Sequence, residues 1–573
     1  MSEQRPQRVR AAPASFADEQ AAAHDLARLR WAERNPLAAA HSSSDSSDDE
    51  SSDAGPEPDE ERKASDVRPP AFPWGAEQQS TDRIAFLPPR VPPAAPTSAH
   101  SPLDFFHLFM SEQHLQSMVD MTNNYAEQQH ADAAEAAAAG SEARAWQLTT
   151  LTEMKALLGC LLYMGIVRLT NTHDYWAEQT RQSFVADVFQ RDRFIALLYR
   201  LRFSEEAVDE RDRLRKVRPL LSTLERTLLA HFYPGEDVSV DEAMCGFKGR
   251  SSMKQYIASK ATRWGFKVWM LVDCATNYVA ALDVYTGRKD DERRSGAAAE
   301  VVLKLVNRLE PLSRHVVSMD NYFSSVTLFE QLLARGMYAV GTARPNRTHF
   351  PKELIAEIRG MARGNWVWRQ KRASPLVATA WVDMRPVFFL STCADAKKSA
   401  SVTRWVDGER QAVACPEVVP LYTRTMRGVD VFAQRQSYTK IGRRSKKWFF
   451  SLAWFLVDVA VHNAHILHQR KHNHAHSDEK AFRKELARLL IGDFSARVRA
   501  VSGHKRAIAA LHQLEHRSNP GDCAQCRPRL ADGQHGRRSR WACAACNVCL
   551  CLPDCYNKHV AAHAAQADID VDD

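Results

Sequence analysis

The sequence predicts an α/β chain built around a mixed sheet with flanking helices. Three observations carry that expectation. The hydrophobic period changes from helical to strand-like near residue 237. Apolar segments then follow in the order strand, hairpin, helix, strand, helix, strand. Three aspartates in distinctive local sequences fall along that order: Asp241 in Ser-Val-Asp-Glu, Asp320 in Met-Asp-Asn-Tyr-Phe and Asp430 in Arg-Gly-Val-Asp.

At 573 residues the chain exceeds one compact core, so several domains are expected. Residues 1–98 are rich in Ser, Asp, Glu, Pro and Ala with few apolar anchors, and disorder is expected there. Their acids, including Asp45, Asp48, Asp49 and Glu50, offset basic segments further on. The net charge of +8 is therefore only a weak hint of polyanion binding. Serines 42–44, 46, 47, 51 and 52 among these acids are either phosphate acceptors or part of a solvated tail. No run of about 18 apolar residues suggests a membrane span, and the opening Met-Ser-Glu-Gln-Arg-Pro lacks the apolar core of a secretory signal.

Residues 99–236 read as helical, with dense Leu and Met between Met154 and Val167 and further helices at Asp192–Leu201 and Leu214–Phe232. From 237 to 345, Val238 and Val240 lead into Asp241. Phe266–Val272 and Tyr278–Tyr285 form a hairpin about the turn Cys274-Ala-Thr-Asn277. A helix at Ala297–Leu309, a strand at His315–Met319, a helix at Ser324–Ala334 and a strand at Met337–Gly341 follow. This order matches the RNase H-like architecture, a mixed sheet with flanking helices. That fold presents acids from a first strand, a later strand and a C-terminal helix. Residues 346–416, with Trp366, Trp368, Trp381, Phe388 and Phe389, read as a small β-rich insertion. Residues 417–440 return the chain to the helix of Asp430. Helical spacing resumes over 441–505, a linker is expected at 506–515, a cysteine-rich domain at 516–565 and an acidic tail at 566–573.

Carboxylates that converge at a sheet edge repel one another unless a hard cation neutralises them, and Mg2+ prefers oxygen ligands. Two such ions about 4 Å apart stabilise both attacking and leaving oxygens in phosphodiester chemistry. The ordinary alternative for a single strand-end Asp is a turn or cap residue. Glu242 is expected on the opposite face from Asp241, because side chains alternate along a strand. A loop containing Lys248 and Arg250 between glycines can approach a phosphate or simply turn. The run Lys440, Arg443, Arg444, Lys446 and Lys447 is a candidate backbone-binding segment or a solvated face. His462, His465 and His468 share a helix face, where packing is favoured over metal binding.

Seven of the twelve cysteines fall between Cys523 and Cys555. The ladder Cys523, Cys526, Cys543, Cys546, Cys551, Cys555, His559, His563 suits two tetrahedral Zn2+ ions in a cross-brace. Alternation assigns Cys523, Cys526, Cys551 and Cys555 to one ion and Cys543, Cys546, His559 and His563 to the other, with Cys549 and His516 as alternates. A tail this short has little core, so metal would supply most of its folding free energy.

Several stretches resemble the piggyBac transposase family. They include Ser-Val-Asp241-Glu-Ala-Met-Cys-Gly-Phe-Lys-Gly-Arg250, then Tyr256, Lys260 and Gly265-Phe-Lys-Val-Trp-Met-Leu-Val-Asp273. Met319-Asp-Asn-Tyr-Phe-Ser, Val340-Gly-Thr-Ala-Arg344 and Gly428-Val-Asp430 with Gln434 also match. Upstream, Phe105-Phe-His-Leu-Phe, Thr122-Asn-Asn-Tyr-Ala, Met164-Gly and Asp174-Tyr-Trp fit the family's opening. The resemblance covers roughly 101–563. It implies a nuclear cut-and-paste transposase whose Asp241, Asp320 and Asp430 hold two Mg2+ ions, acting on double-stranded transposon ends and TTAA targets as a homodimer. It also implies that the zinc tail reads the ends, and no membrane or small-molecule substrate is expected. One departure stands out: the family commonly continues Val-Asp-x-x-Asp, and this chain has Ala433 in place of the second acid.

Overall fold

The computed structural model describes residues 74–76, 85–89, 93–136, 146–205, 209–287, 297–406, 408–441, 445–473, 478–495, 514–526, 537–551, 555–560 and 562. Most of the N-terminal stretch expected to be disordered, most of the linker and the acidic tail lie outside them. One piece of that stretch departs from the expectation: Trp74–Gly75 forms strand β1, and the Trp74 indole donates to the His349 carbonyl at 3.1 Å. A lone aromatic anchor in a Ser- and acid-rich background is easily overlooked, but it has enough apolar surface to dock.

The centre is a ten-stranded mixed sheet. β2 (Asp237–Gly246) pairs antiparallel with β4 (Trp264–Asp273), which carries β3 (Gln255–Tyr256) and β5 (Val279–Val284). On its other side β2 runs parallel to β6 (Val316–Met319), and β6 runs parallel to β7 (Tyr338–Thr342). The parallel crossovers are the helices Ala297–Val306 and Val326–Ala334, the second capped by Ser325, whose side chain accepts from the Leu328 amide. Order and element types follow the sequence expectation closely.

The supposed insertion behaves differently. β8 (Trp366–Lys371), β9 (Val377–Val382) and β10 (Pro386–Ser391) extend the central sheet, because β10 pairs antiparallel with β7. Only the hairpin β11 (Ser399–Val406) and β12 (Glu409–Pro416) stands apart as a sheet of its own. The reason is burial: all but the last residue of β9 is buried, which suits an interior strand of a large sheet rather than a small free-standing unit.

Period-two alternation splits the core between the two faces of the sheet. On β4, Phe266, Val268, Met270 and Val272 pack into one apolar cluster, while Trp269 and Leu271 join the other. The first cluster also contains helices from both flanks of the sheet sequence, among them Pro102–His107, Leu151–Ile166, Trp448–Lys471 and Glu479–Ile491. The early and late helical regions thus form one layer over one face. Trp448–Lys471 is long and apolar enough to cross a membrane, but 94% of its apolar window is buried within this layer. His462 and His465 are buried on it, His462 lying between the Asn277 carbonyl at 2.9 Å and Glu479 at 3.4 Å, as packing predicts.

The same layer buries an ion pair completely: the Arg483 guanidinium donates to Asp458 Oδ1 at 2.7 Å and to Glu479 Oε1 at 3.1 Å. Asp458→Ala leaves the guanidinium buried without its main counter-charge. It is expected to lower unfolding free energy by about 3–5 kcal/mol, read from the urea midpoint.

Candidate functional site

The parallel register between β2 and β6 ends with Val240 opposite Met319, so Asp241 and Asp320 are the next residues on neighbouring strands. Asp320 leaves β6 as expected. Asp241 is not at the end of β2, however. It marks where parallel pairing stops, and β2 continues against β4 to Gly246 opposite Gly265. Asp430 is the third residue of the helix Gly428–Thr439. That helix begins hard against the sheet: a Cβ at Gly428 would lie 2.5 Å from Ser239 Oγ and 3.0 Å from Val272 Cγ1. Glycine alone permits this approach, two residues before Asp430 on the helix and two before Asp241 on the strand.

Electrostatics tie the three acids together. Lys260, from the β3–β4 connection, places Nζ 3.9 Å from Asp241 Oδ2 and 3.5 Å from Glu242 Oε1. Burial would lower its pKa, but Asp241, Glu242 and Asp430 together hold it above the usual lysine value. The Asp241 carboxyl is pushed up to about 7, first by burial and then by Glu242 and Asp320, with Lys260 opposing. Asp320 is also raised, by burial and then Glu242, against the Tyr322 amide that donates to Oδ1 at 3.0 Å. The Tyr422 phenol is pushed up to about 12 by burial and then by Asp320, Asp241 and Asp430. One ammonium and one phenol therefore share these carboxylates as neighbours.

The three carboxylates do not form a set whose oxygens all lie within 4.8 Å of one another, so they do not cage a single ion as they stand. Two ions about 4 Å apart, each with oxygen ligands at about 2 Å, spread their outer ligands over roughly 8 Å. The donor set is all oxygen, and burial together with crowded negative charge favours the neutral form of two members. Both properties fit hard divalent cations.

Glu242 is the residue that sequence reasoning set aside. Strict alternation would keep it away from Asp241, yet Lys260 reaches both, and Lys267 Nζ lies 3.8 Å from Glu242 Oε2 and 4.5 Å from the Tyr322 ring centre. At this point β6 has ended, so β2 has a paired neighbour on one side only and its side chains are less confined. The adjacent lysines, Lys260 and Lys267, were the available signal.

Among the candidate basic residues, Lys248 and Arg250 are exposed on the loop after β2, and Lys446 is exposed. Lys440 and Lys447 are half-buried. Lys447 donates to the Tyr199 carbonyl at 3.2 Å; burial, then Arg202 and Lys216, lower its pKa. Arg443 and Arg444 lie outside the described residues.

In the tail, β13 (Leu514–Asp522), β14 (Arg538–Cys543) and β15 (Val548–Cys549) form a small sheet that gathers two sets of metal-type ligands. Cys523, Cys526, Cys551 and Cys555 lie with their sulfurs within 4.8 Å of one another, as do the ligand atoms of Cys543, Cys546 and His559. His563 lies outside the described residues. This is the alternating assignment expected from spacing; neither Cys549 nor His516 joins a set. Burial raises the Cys523 thiol, but amides of Cys551, Gln525 and Cys526 bring it down to about 7. Cys551 is pushed up to about 12 by burial and then by Cys523. Crowded thiols of this kind suit a bound cation that takes them all as thiolates.

Two outcomes follow. A folded-state pKa above the unfolded value means that the folded protein binds the extra proton. The Asp241 contribution to stability is therefore lost as pH rises from 3.8 toward about 7. Magnesium-free protein is expected to lose stability over that window, and Asp241→Asn to flatten the loss in a pH series of thermal melts. In the tail, Cys526→Ser is expected to reduce bound zinc by about one ion per chain, counted by native mass spectrometry.

A family model described as Transposase IS4 matches residues 101–465, well over half the chain. Human PiggyBac transposable element-derived protein 2 is 27% identical over 446 residues, covering 74% of this chain and 72% of that protein. Human PiggyBac transposable element-derived protein 5 is 24% identical over 422 residues, covering 69% and 76%. Among solved structures, a cryo-EM piggyBac transposase synaptic complex with hairpin DNA superposes with a TM-score of 0.61 at 22% identity, over 79% of this chain and 97% of that one. The mixed sheet, the helical layer and the matched span agree, and the chain belongs to the piggyBac-type transposase family.

Proposed function

We propose that this chain is a cut-and-paste DNA transposase of RNase H-like architecture, with Asp241, Asp320 and Asp430 as the ligands of two Mg2+ ions. The observation that carries the reading is geometric: Asp241 and Asp320 are the next residues of adjacent parallel strands, and the helix of Asp430 starts against Ser239, two residues before Asp241. The order β5–β4–β2–β6–β7 with a following acid-bearing helix supports the architecture. When bound, the ions would activate water and then a freed 3′-hydroxyl toward phosphodiesters and stabilise the leaving oxygen. The carboxylates would hold that pair, and Glu242 and Lys260 would balance charge at its edge. Lys248, Arg250, Lys440, Arg443, Arg444, Lys446 and Lys447 would neutralise backbone phosphates and set register without reading sequence.

The substrate in this reading is double-stranded DNA: transposon ends, with insertion at TTAA. The solved relative is titled as a synaptic complex with hairpin DNA, which supports DNA as the partner. The two tail clusters would hold one Zn2+ each, with His563 as the fourth ligand of the second, and the tail would supply preference for particular ends. Pairing of two ends calls for a homodimer, and chromosomal DNA calls for a nuclear location.

A second reading has two supports. Ala433 stands where the family commonly carries an acid, and the human relatives are named as transposable element-derived. A DNA-binding protein that has kept the fold and lost the reaction would look like this. An excision assay on a donor flanked by matching terminal repeats separates the two. Under the transposase reading the native chain excises, and Asp320→Asn lowers excision by about 100-fold or more while end binding persists. Absence of excision by the native chain selects the second reading.

A further inference from the structure

The helix that carries Asp430 is held at its far end by groups from elsewhere in the fold. Arg168 Nη2 donates to the Ser437 carbonyl at 3.0 Å, and Arg483 Nη1 lies 3.4 Å from the Thr439 carbonyl. The backbone at Gly165 is so close that a Cβ there would lie 2.5 Å from the Thr439 oxygen and 2.8 Å from that of Lys440. Cations at a helix C-terminus also oppose its partial negative charge.

Arg483 is fully buried and bonded to Asp458, whose other oxygen accepts the Ile441 amide at 3.2 Å, immediately after the helix. Asp458 sits on Trp448–Lys471. The same helix accepts the Cys245 thiol of β2 at the Ser451 carbonyl (3.2 Å). Its Asn463 exchanges two hydrogen bonds with Val279 of β5, each 2.9 Å. Ser451 and Asp458 lie seven residues, about two turns, apart, so one face of one helix meets both the strand of Asp241 and the end of the Asp430 helix. A buried ion pair contributes little net stability compared with apolar side chains of similar volume. Directional bonds, unlike apolar contact, resist sliding of the helix along its axis.

We propose that Asp458 and Arg483 are positioning residues that set the placement of Asp430 relative to Asp241. This rests on the reading of the three aspartates as the metal site. The geometry makes the pair a buried strut that acts through the helix end.

The test uses the full-length, zinc-loaded chain with Mn2+ as the probe, its binding followed by electron paramagnetic resonance. The double variant Asp458→Leu/Arg483→Met replaces the pair with apolar volume and leaves Glu479 its His462 partner, so its melting temperature should stay close to that of the native chain. Its Mn2+ affinity is expected to fall roughly tenfold, as for residues that orient metal ligands. Arg168→Ala, further out on the same helix end, should weaken Mn2+ binding in the same direction by a smaller factor. Native Mn2+ affinity in the folded double variant overturns the proposal. Should that variant not fold, native affinity in Arg168→Ala overturns it instead. Native Mn2+ binding that is indifferent to Asp320→Asn identifies a different failure, that of the metal-site reading itself.

Discussion

The parallel pairing of β2 with β6 is the constraint on which the rest of the site depends. Once Val240 lies opposite Met319, the next residue of each strand is an aspartate, and two carboxylates are side by side at an edge where hydrogen-bonded pairing stops. Nothing in either local sequence compels the two to meet. The crossover through Ala297–Val306 does, because it carries the chain from β5 past β4 and β2 and sets β6 parallel beside β2. The third acid arrives through a different mechanism: the absence of a side chain at Gly428, which lets a helix start against Ser239 and Val272.

The convergence has an electrostatic cost that is visible in the acids themselves. Asp241 and Asp320 are both raised by burial and by their acidic neighbours, and Lys260 offsets only part of that. A fold maintained only for stability would gain from an apolar residue in place of either acid. Under the proposed reading, divalent cations held there would offset that repulsion. The tail shows the same logic in sulfur, where thiols crowd within 4.8 Å around a scarcely developed core.

Behind the sheet, the helical layer contributes more than cover. Arg483 and Asp458 connect the end of the Asp430 helix to the long helix whose Ser451 and Asn463 bond to β2 and β5. These bonds tie two late helices to β2, to β5 and to the end of the Asp430 helix.

Much of this was legible in the sequence. Strong hydrophobic periodicity marked the strands and crossover helices around Asp241 and Asp320, and the Cys/His ladder marked the ligand atoms that gather in the tail, since each Cys-x2-Cys pair is a local feature. Three things were not legible, and each is non-local. The membership of β8, β9 and β10 in the central sheet depends on β10 finding β7, a pairing that no local pattern encodes. The proximity of Glu242 to Asp241 depends on β6 ending one residue early on the neighbouring strand. The meeting of Arg483 with Asp458 depends on two helices closing over one another. Sequence alone determined which residues are candidates for chemistry, because side-chain type and local period are properties of the chain. Only tertiary structure decided which of them share charge, because that follows from distances set by packing between segments far apart along it.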